Sequence, residues 1–295
     1  MKRSTMILGG ACLVLGGALV GTAMALWPAL SAPEKPASEA HFEIGLNDVR
    51  PDGDSDVVES ASALLWDSEA GVIKYEANGF ERRPIASLTK LMTAMVALDY
   101  GVDLDKEMTI MPEEYRIGGR LVLAPGERVT MRDLLHASLM GSANNATLAF
   151  VRGVGVEEEE FIRAMNRKAI ALGLEQTEFV ELTGLDLHNI STAYEVAKIA
   201  ESAWQDYPII AEITSKIKYQ YVVGGSGREH TIVNTNNLMV DYDYKLAGSK
   251  TGYLYEAGFC LVVRKASDNN LIAVVLGSPS EWDSMSDART LLERP

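Results

Sequence analysis

Three short constellations in this chain could share one piece of chemistry: Ser87-Leu88-Thr89-Lys90, Ser142-Ala143-Asn144 and Lys250-Thr251-Gly252. The first sets a hydroxyl and an ammonium group three residues apart, and residues so spaced share one face of a helix. A serine at the positive end of a helix, with an amine one turn on, gives up its proton more readily and can form a stabilised oxyanion. That is the equipment of a serine nucleophile. Taken alone, the same spacing also fits a helix cap followed by a lysine reaching to solvent, so the surrounding elements must decide between the two.

The stretch Ile85 to Leu98 repeats its apolar residues at three- and four-residue spacing, with Pro84 upstream and Gly101 beyond its end. This predicts a helix carrying Ser87 and Lys90 in its first turn. Thr130 followed by Asp133 resembles a capping box, and Met131, Leu134, Leu135, Leu139 and Met140 then give an apolar face ending at Gly141. Ser142 and Asn144 stand directly behind that helix, where another can begin; a simple capping role is their alternative reading. Lys250-Thr251-Gly252 occurs once, on the apolar strand Leu246 to Leu254, and Gly252 leaves room there for a backbone or a substrate. The alternative for Lys250 is a solvated strand-edge lysine. Context also disposes of two decoys. Ser215-Lys216-Ile217-Lys218 enters a strand, where residues three apart face opposite sides. Ser267-Asp268-Asn269 lies in a polar turn between strands, where such residues are expected for turn chemistry.

Strands Ala61 to Trp66 and Val72 to Tyr75, joined by the polar turn 67–71, precede the Ser87 helix. From Gly101 to about Asp206 the pattern is mostly helical, with a second stripe of Phe161, Met165, Ala169 and Leu172 that reads as core. From Ile217 the period changes to two. Strands are predicted at Lys216 to Val223, Leu246 to Leu254, Gly258 to Lys265 and Leu271 to Gly277, with a closing helix from Glu281 to Glu293. Strands at both ends with helices between them imply an α/β (α+β) fold: one sheet from the N- and C-terminal thirds, and a helical insertion at about 101–215. Gly224-Gly225-Ser226-Gly227 reads as a hairpin loop and not a phosphate loop.

At 295 residues and 47% hydrophobic content the chain can bury a sizeable core. Its formal net charge of −14 argues against nucleic acid, or an anionic membrane surface, as the main partner. Lys2 and Arg3 before the uncharged stretch Ser4 to Ala32 have the order of an export signal, so residues 1–31 are expected to be a signal peptide or a retained N-terminal membrane anchor. Ala23-Met24-Ala25 offers a cleavage site, and Cys12 is a weak lipidation candidate. Residues 32–55, rich in Pro, Glu, Asp and Ser, form an expected linker, leaving 56–295 as the catalytic domain. Cys260 reads as a buried strand residue. His41, His136, His188 and His230 are scattered, with no metal-ligand spacing, so no metal and no cofactor are expected.

The three motifs in this order resemble the penicillin-binding serine acyl-transfer enzymes. The closer resemblance is to the low-molecular-mass D-alanyl-D-alanine carboxypeptidases. It is carried by Pro84 to Ala94, Gly126-Glu127 ahead of Leu134-Leu135, Gly184-Leu185 before Ser191-Thr192-Ala193, Asn234 to Leu238, and Gly248 to Gly252 with Glu256-Ala257-Gly258. It runs from about Ala61 to Leu292. It implies the β-lactamase/transpeptidase-like fold, with an antiparallel sheet. It also implies removal of the terminal D-Ala from peptidoglycan stem peptides in cell-wall biogenesis, sensitivity to β-lactams, and a place outside the cytoplasm. On that reading Ser87 attacks the D-Ala-D-Ala carbonyl, and Lys90 takes its proton once burial and Lys250 have lowered its pKa. Ser142 relays a proton to the leaving amine, and Asn144 holds the substrate amide and Lys90. Lys250 and Thr251, followed by Gly252, bind the terminal carboxylate. The N–H groups of Ser87 and Tyr253 form the oxyanion hole.

Two departures from the family stand out. Many relatives carry an arginine near the substrate carboxylate where Ser284 lines up here, and many continue into a C-terminal β-domain and membrane helix, whereas this sequence stops at Pro295. Two rivals share the motifs. One is a serine β-lactamase, with Glu181 as its water-activating residue; the other is a non-catalytic peptidoglycan-binding relative.

Overall fold

In this computed structural model the described residues are 58–268 and 270–294. The expected leader with Cys12, the linker and Asn269 of the Ser267 decoy lie outside them. The chain opens with the hairpin β1 (Ser62–Asp67) and β2 (Val72–Ala77), then β3 (Arg83–Pro84) leads into the Ser87 turn and α1 (Thr89–Asp99). Next come β4 (Glu107–Met108), β5 (Val129–Thr130), α2 (Met131–Leu139), α3 (Asn144–Val154) and α4 (Glu158–Ala171). After β6 (Ile190–Ser191) follow α5 (Ala193–Gln205) and α6 (Pro208–Thr214), the ribbon β7 (Lys218–Val222) and β8 (Glu229–Val233), and α7 (Asn237–Val240). The chain closes through β9 (Leu246–Leu254), β10 (Gly258–Lys265), β11 (Leu271–Ser278) and α8 (Glu281–Glu293).

The main sheet runs β2-β1-β11-β10-β9, antiparallel at every step, so the N-terminal hairpin is completed by the last three strands of the chain. β11 lies at its centre, and its sequence Leu271-Ile272-Ala273-Val274-Val275-Leu276 explains why. Successive side chains point to opposite faces, and an unbroken apolar run suits a strand covered on both sides. Ile272, Val274 and Leu276 face α5 and join the core of the helical region, while Leu271, Ala273 and Val275 pack against Met285, Ala288, Leu291 and Leu292 of α8. Helices α2 and α8 begin at side-chain caps: Thr130 Oγ1 accepts from Asp133 N at 3.1 Å while Asp133 Oδ2 accepts from Thr130 N at 2.8 Å, and Ser280 Oγ accepts from Asp283 N at 3.0 Å.

The fold class is the one expected, with two local differences. The strand expected at 216–223 does not join the main sheet; β7 pairs with β8 in a separate ribbon. Within the mostly helical region, two-residue strands pair as β3–β6 and β4–β5. Two residues carry no period to read, and only their partners define them.

Because β11 is sealed on both faces, Ile272→Ala is expected to cost about 2–5 kcal/mol. Lys74→Ala on exposed β2 should stay within about 0.5 kcal/mol. Urea unfolding of the two variants measures the contrast.

Candidate active site

Ser87 lies in a 3-10 turn, Ala86–Leu88, and the α-helix begins only at Thr89, so the nucleophile sits one turn ahead of the helix and not inside its first turn. The cause is Ala86, at φ +45°. A non-glycine residue in the left-handed region costs about 1–3 kcal/mol and persists only where its surroundings impose it. The loop at Gly184, φ +87°, packs directly against this bend: a Cβ on Gly184 would overlap the Ala86 carbonyl and stand 2.8 Å from Ser87 N. The two backbones touch, and only glycine allows it.

Lys90 is fully buried. Its Nζ lies 2.7 Å from Ser87 Oγ and donates to Asn144 Oδ1 at 2.8 Å and to the Thr183 carbonyl at 2.6 Å. Thr183 is itself fixed by Glu181, whose carboxylate accepts from Thr183 N (2.7 Å), Thr183 Oγ1 (2.7 Å), Leu185 N (3.0 Å) and Asn189 Nδ2 (2.8 Å), and also from Gly184 N. Glu181 thus organises the loop that carries Gly184 and Thr183, and its oxygens are spent on that loop instead of a hydrolytic water. Asn144, at the start of α3, spans from Lys90 to the Ile117 carbonyl, to which its Nδ2 donates at 2.7 Å. One N–H of its amide is left for a substrate.

Ser142 follows α2 in the left-handed conformation, φ +51°. Its Oγ accepts from Lys250 Nζ at 2.9 Å, and the same Nζ donates to the Thr251 carbonyl at 2.8 Å. Lys250 is 1% exposed, so it is no solvated edge lysine. Thr251 Oγ1 shares a hydrogen bond of 2.5 Å with Thr235 Oγ1. At Gly252, β9 passes so close to the nucleophile turn that a Cβ would stand 3.0 Å from Ser87 N and 3.2 Å from the Ile85 carbonyl. Tyr253, the next residue, is half exposed at the rim, its ring 4.3 Å from that of Phe259.

One cavity of about 310 Å³ has Ser87, Ser142, Asn144, Thr235, Thr251, Glu281 and Ser284 in its wall, with Lys90 and Lys250 buried behind the two serines they contact. The three remote motifs therefore converge, while the decoys stay away: Lys216 pairs with Glu212 at 2.6 Å on the surface. Burial lowers the Lys90 pKa to about 7, against a smaller upward pull from Glu181. Burial, and then the charge of Lys90, push Lys250 well below its usual value. Desolvation is the main cause for both lysines, and repulsion between the two neighbouring amines works in the same direction, disfavouring a state in which both are charged. Among the described residues no group of His, Cys, Asp or Glu side chains could hold a metal. Cys260 is buried on β10 and lines the cavity, with burial raising its thiol pKa to about 11, which suits an inert strand residue better than a nucleophile.

Sequence reasoning gave no role to Thr183, Thr235 or Glu281. Thr183 acts through its carbonyl, which leaves no side-chain signature. Glu281 is half-buried at the start of α8, its pKa raised by burial and by Asp241, and only the packing of that helix brings it to the cleft.

A serine–lysine nucleophile, a serine–lysine partner pair and a Lys-Thr-Gly strand on this sheet define a penicillin-binding serine acyl-transfer enzyme. The sequence model of the D-alanyl-D-alanine carboxypeptidases, peptidase family S11, matches residues 49–280, and the chain belongs to that family. It is 34% identical to a D-alanyl-D-alanine endopeptidase of Pseudomonas aeruginosa over 79% of this chain and 76% of the relative. It is 32% identical to the D-alanyl-D-alanine carboxypeptidase DacF of Bacillus subtilis over 80% of this chain and 61% of the relative. Among solved structures it is similar to a Streptomyces DD-transpeptidase, with TM-score 0.73, 27% identity and coverage of 81% and 98% of the two chains. A cefotaxime-bound penicillin-binding protein of Listeria monocytogenes gives TM-score 0.70, 26% identity and coverage of 82% and 98%.

Lys90 accepts a proton only when neutral, so acylation by benzylpenicillin should quicken with rising pH through a midpoint near 7. Lys90→Arg, whose guanidinium does not deprotonate, should stay unacylated from pH 5 to 10. Stopped-flow acylation rates read both.

Proposed function

We propose that the protein is an exported serine D,D-peptidase that acts on peptidoglycan stem peptides ending in D-Ala-D-Ala through an acyl-enzyme on Ser87. The observation that carries this reading is the Lys90 amine. Its two donor contacts, to Asn144 Oδ1 and the Thr183 carbonyl, use both hydrogens of the neutral form and leave the lone pair facing Ser87 Oγ. Ser87 loses its proton to Lys90 as its oxygen attacks the carbonyl of the penultimate D-alanine. The resulting oxyanion is met by the N–H groups of Ser87 and Tyr253, drawn together where β9 runs past the nucleophile turn at Gly252. Ser142, hydrogen-bonded to Lys250, passes a proton to the departing amine. Thr251, aligned by Thr235, and Lys250 hold the terminal carboxylate. Water then releases the acyl group by the same route in reverse, with β-lactams acylating Ser87 and leaving slowly.

A second reading concerns the leaving group. Cleavage of a cross-link between two stem peptides differs from carboxypeptidase action only on that side of the bond. There Ser284 stands where many family members place an arginine, and the Glu281 carboxylate lines the wall. Both features relax the demand for a free terminal D-alanine, and relatives from Pseudomonas aeruginosa and Escherichia coli carry the name endopeptidase. The positively charged, then apolar, N-terminal stretch supports export, with either cleavage or N-terminal anchoring.

Intact-protein mass spectrometry with benzylpenicillin should give one adduct on the wild type and none on Ser87→Ala. An adduct on both would remove Ser87 from the mechanism, and rapid loss of the adduct would favour a β-lactamase. Release of D-alanine from a pentapeptide, against cleavage of a cross-linked dimer, separates the two readings of the leaving group.

A further inference from the structure

A second cavity, of about 340 Å³, opens where the turn after β9 leads into β10, and it shares Tyr253 and Phe259 with the cleft. Its wall also carries Arg83, Tyr255 and Glu256. Arg83 ends the approach to the nucleophile turn, four residues before Ser87. Its Nε is buried and makes no hydrogen bond, while Nη2 reaches the half-exposed Glu81 carboxylate at 3.3 Å. A buried guanidinium N–H without an acceptor is rare in folded proteins and is costly until something accepts from it. Glu256 is exposed and has no ion-pair partner among the described residues, and Tyr255 is 86% exposed. One cation, one anion and three aromatic rings therefore surround a space that nothing in the fold fills.

The substrate's direction fixes what reaches it. With the terminal carboxylate at Lys250 and Thr251 and the attacked carbonyl at Ser87, the acyl part of the stem peptide continues past Tyr253 towards the β9–β10 turn. β9 pairs only with β10 among the described residues, so its outer edge can take an extended peptide as an added strand. One residue of an extended strand advances about 3.3 Å, so the residue preceding the acyl D-alanine moves from the cleft towards the Tyr253 and Phe259 wall that the two cavities share. In a peptidoglycan stem that position holds a diamino acid.

We propose that the cavity between Arg83, Tyr255 and Glu256 is the subsite for this diamino acid, and that it selects an aliphatic side chain ending in a zwitterionic amino acid over one ending in an ammonium group alone. Arg83 takes the carboxylate through the accessible end of its guanidinium, in place of or beside its 3.3 Å contact with exposed Glu81. Glu256 takes the ammonium group, and the rings of Tyr253 and Tyr255 cover the methylenes. A side chain ending only in an ammonium group would bring a cation towards Arg83 with nothing to offer it. The proposal rests on the D,D-peptidase reading for the placement of the substrate.

The test uses binding to the full chain carrying Ser87→Ala, so that turnover plays no part. Two stem pentapeptides that differ only in the third residue, meso-diaminopimelic acid or L-lysine, are titrated by calorimetry. The diaminopimelyl peptide should bind at least tenfold more tightly. Adding Arg83→Gln should bring the ratio of the two Kd values to within twofold, and converting the side-chain carboxylate of the peptide to its amide should do the same with no change to the protein. A ratio near one on Ser87→Ala, or a ratio that survives both Arg83→Gln and amidation, overturns the proposal. Failure of the peptidase reading itself has a separate signature, the absence of a benzylpenicillin adduct on the wild type.

Discussion

One amine controls this molecule. Lys90 Nζ is enclosed, held by the Asn144 amide oxygen and the Thr183 carbonyl, and left with one direction of approach, along which Ser87 Oγ lies at 2.7 Å. Burying a lysine is expensive while it is charged, and the protein does not offset that expense with a carboxylate in direct contact. The cost is transferred to the proton, which leaves the amine at a pH near neutrality. In the proposed role of Lys90 as base, its strength is set by the absence of water, so every group that excludes water from Lys90 would take part indirectly in the chemistry.

The fold serves that enclosure. α1 brings Lys90 inward, α3 supplies Asn144, the loop at 181–185 supplies Thr183 and presses Gly184 against the Ala86 carbonyl, and β9 closes the remaining side with Lys250 and Gly252. The five-stranded sheet anchors this assembly because its central strand is buried on both faces, between α8 and the helical region. Two left-handed residues, Ala86 and Ser142, mark where the chain is bent away from its local preference to aim a hydroxyl. Both bends precede or carry a serine of the site, in keeping with strain concentrated where function demands a particular direction.

Much of this was legible in the residues. The alternation and runs that define β9, β10, β11 and α8 are strong local signals, and they agree with the tertiary role of each element. The three motifs could be separated from their decoys because a helix face and a strand face impose different geometry on the same spacing. Two features stayed hidden for a common reason: each depends on a partner distant in sequence. The 3-10 turn at Ser87 packs its backbone against Gly184, almost a hundred residues away in the chain. Thr183 contributes a carbonyl, which every residue possesses. The lowering of the Lys90 pKa by burial, by contrast, is expected from the motif's role and agrees with its complete enclosure.

The position of β9 at the margin of the sheet has a cost of its own. A strand with one row of amides and carbonyls unpaired is a template for any extended chain, another copy of the same protein included. In the proposed mode of substrate binding the row stays open for an added peptide strand, so it cannot be blocked by proline or hidden under a permanent cover. Mutual repulsion is the remaining safeguard, and a formal charge of −14 supplies it without touching the margin itself. Colloidal solubility and substrate capture are then coupled through one surface, and raising the ionic strength should loosen that safeguard and favour self-association at the open margin.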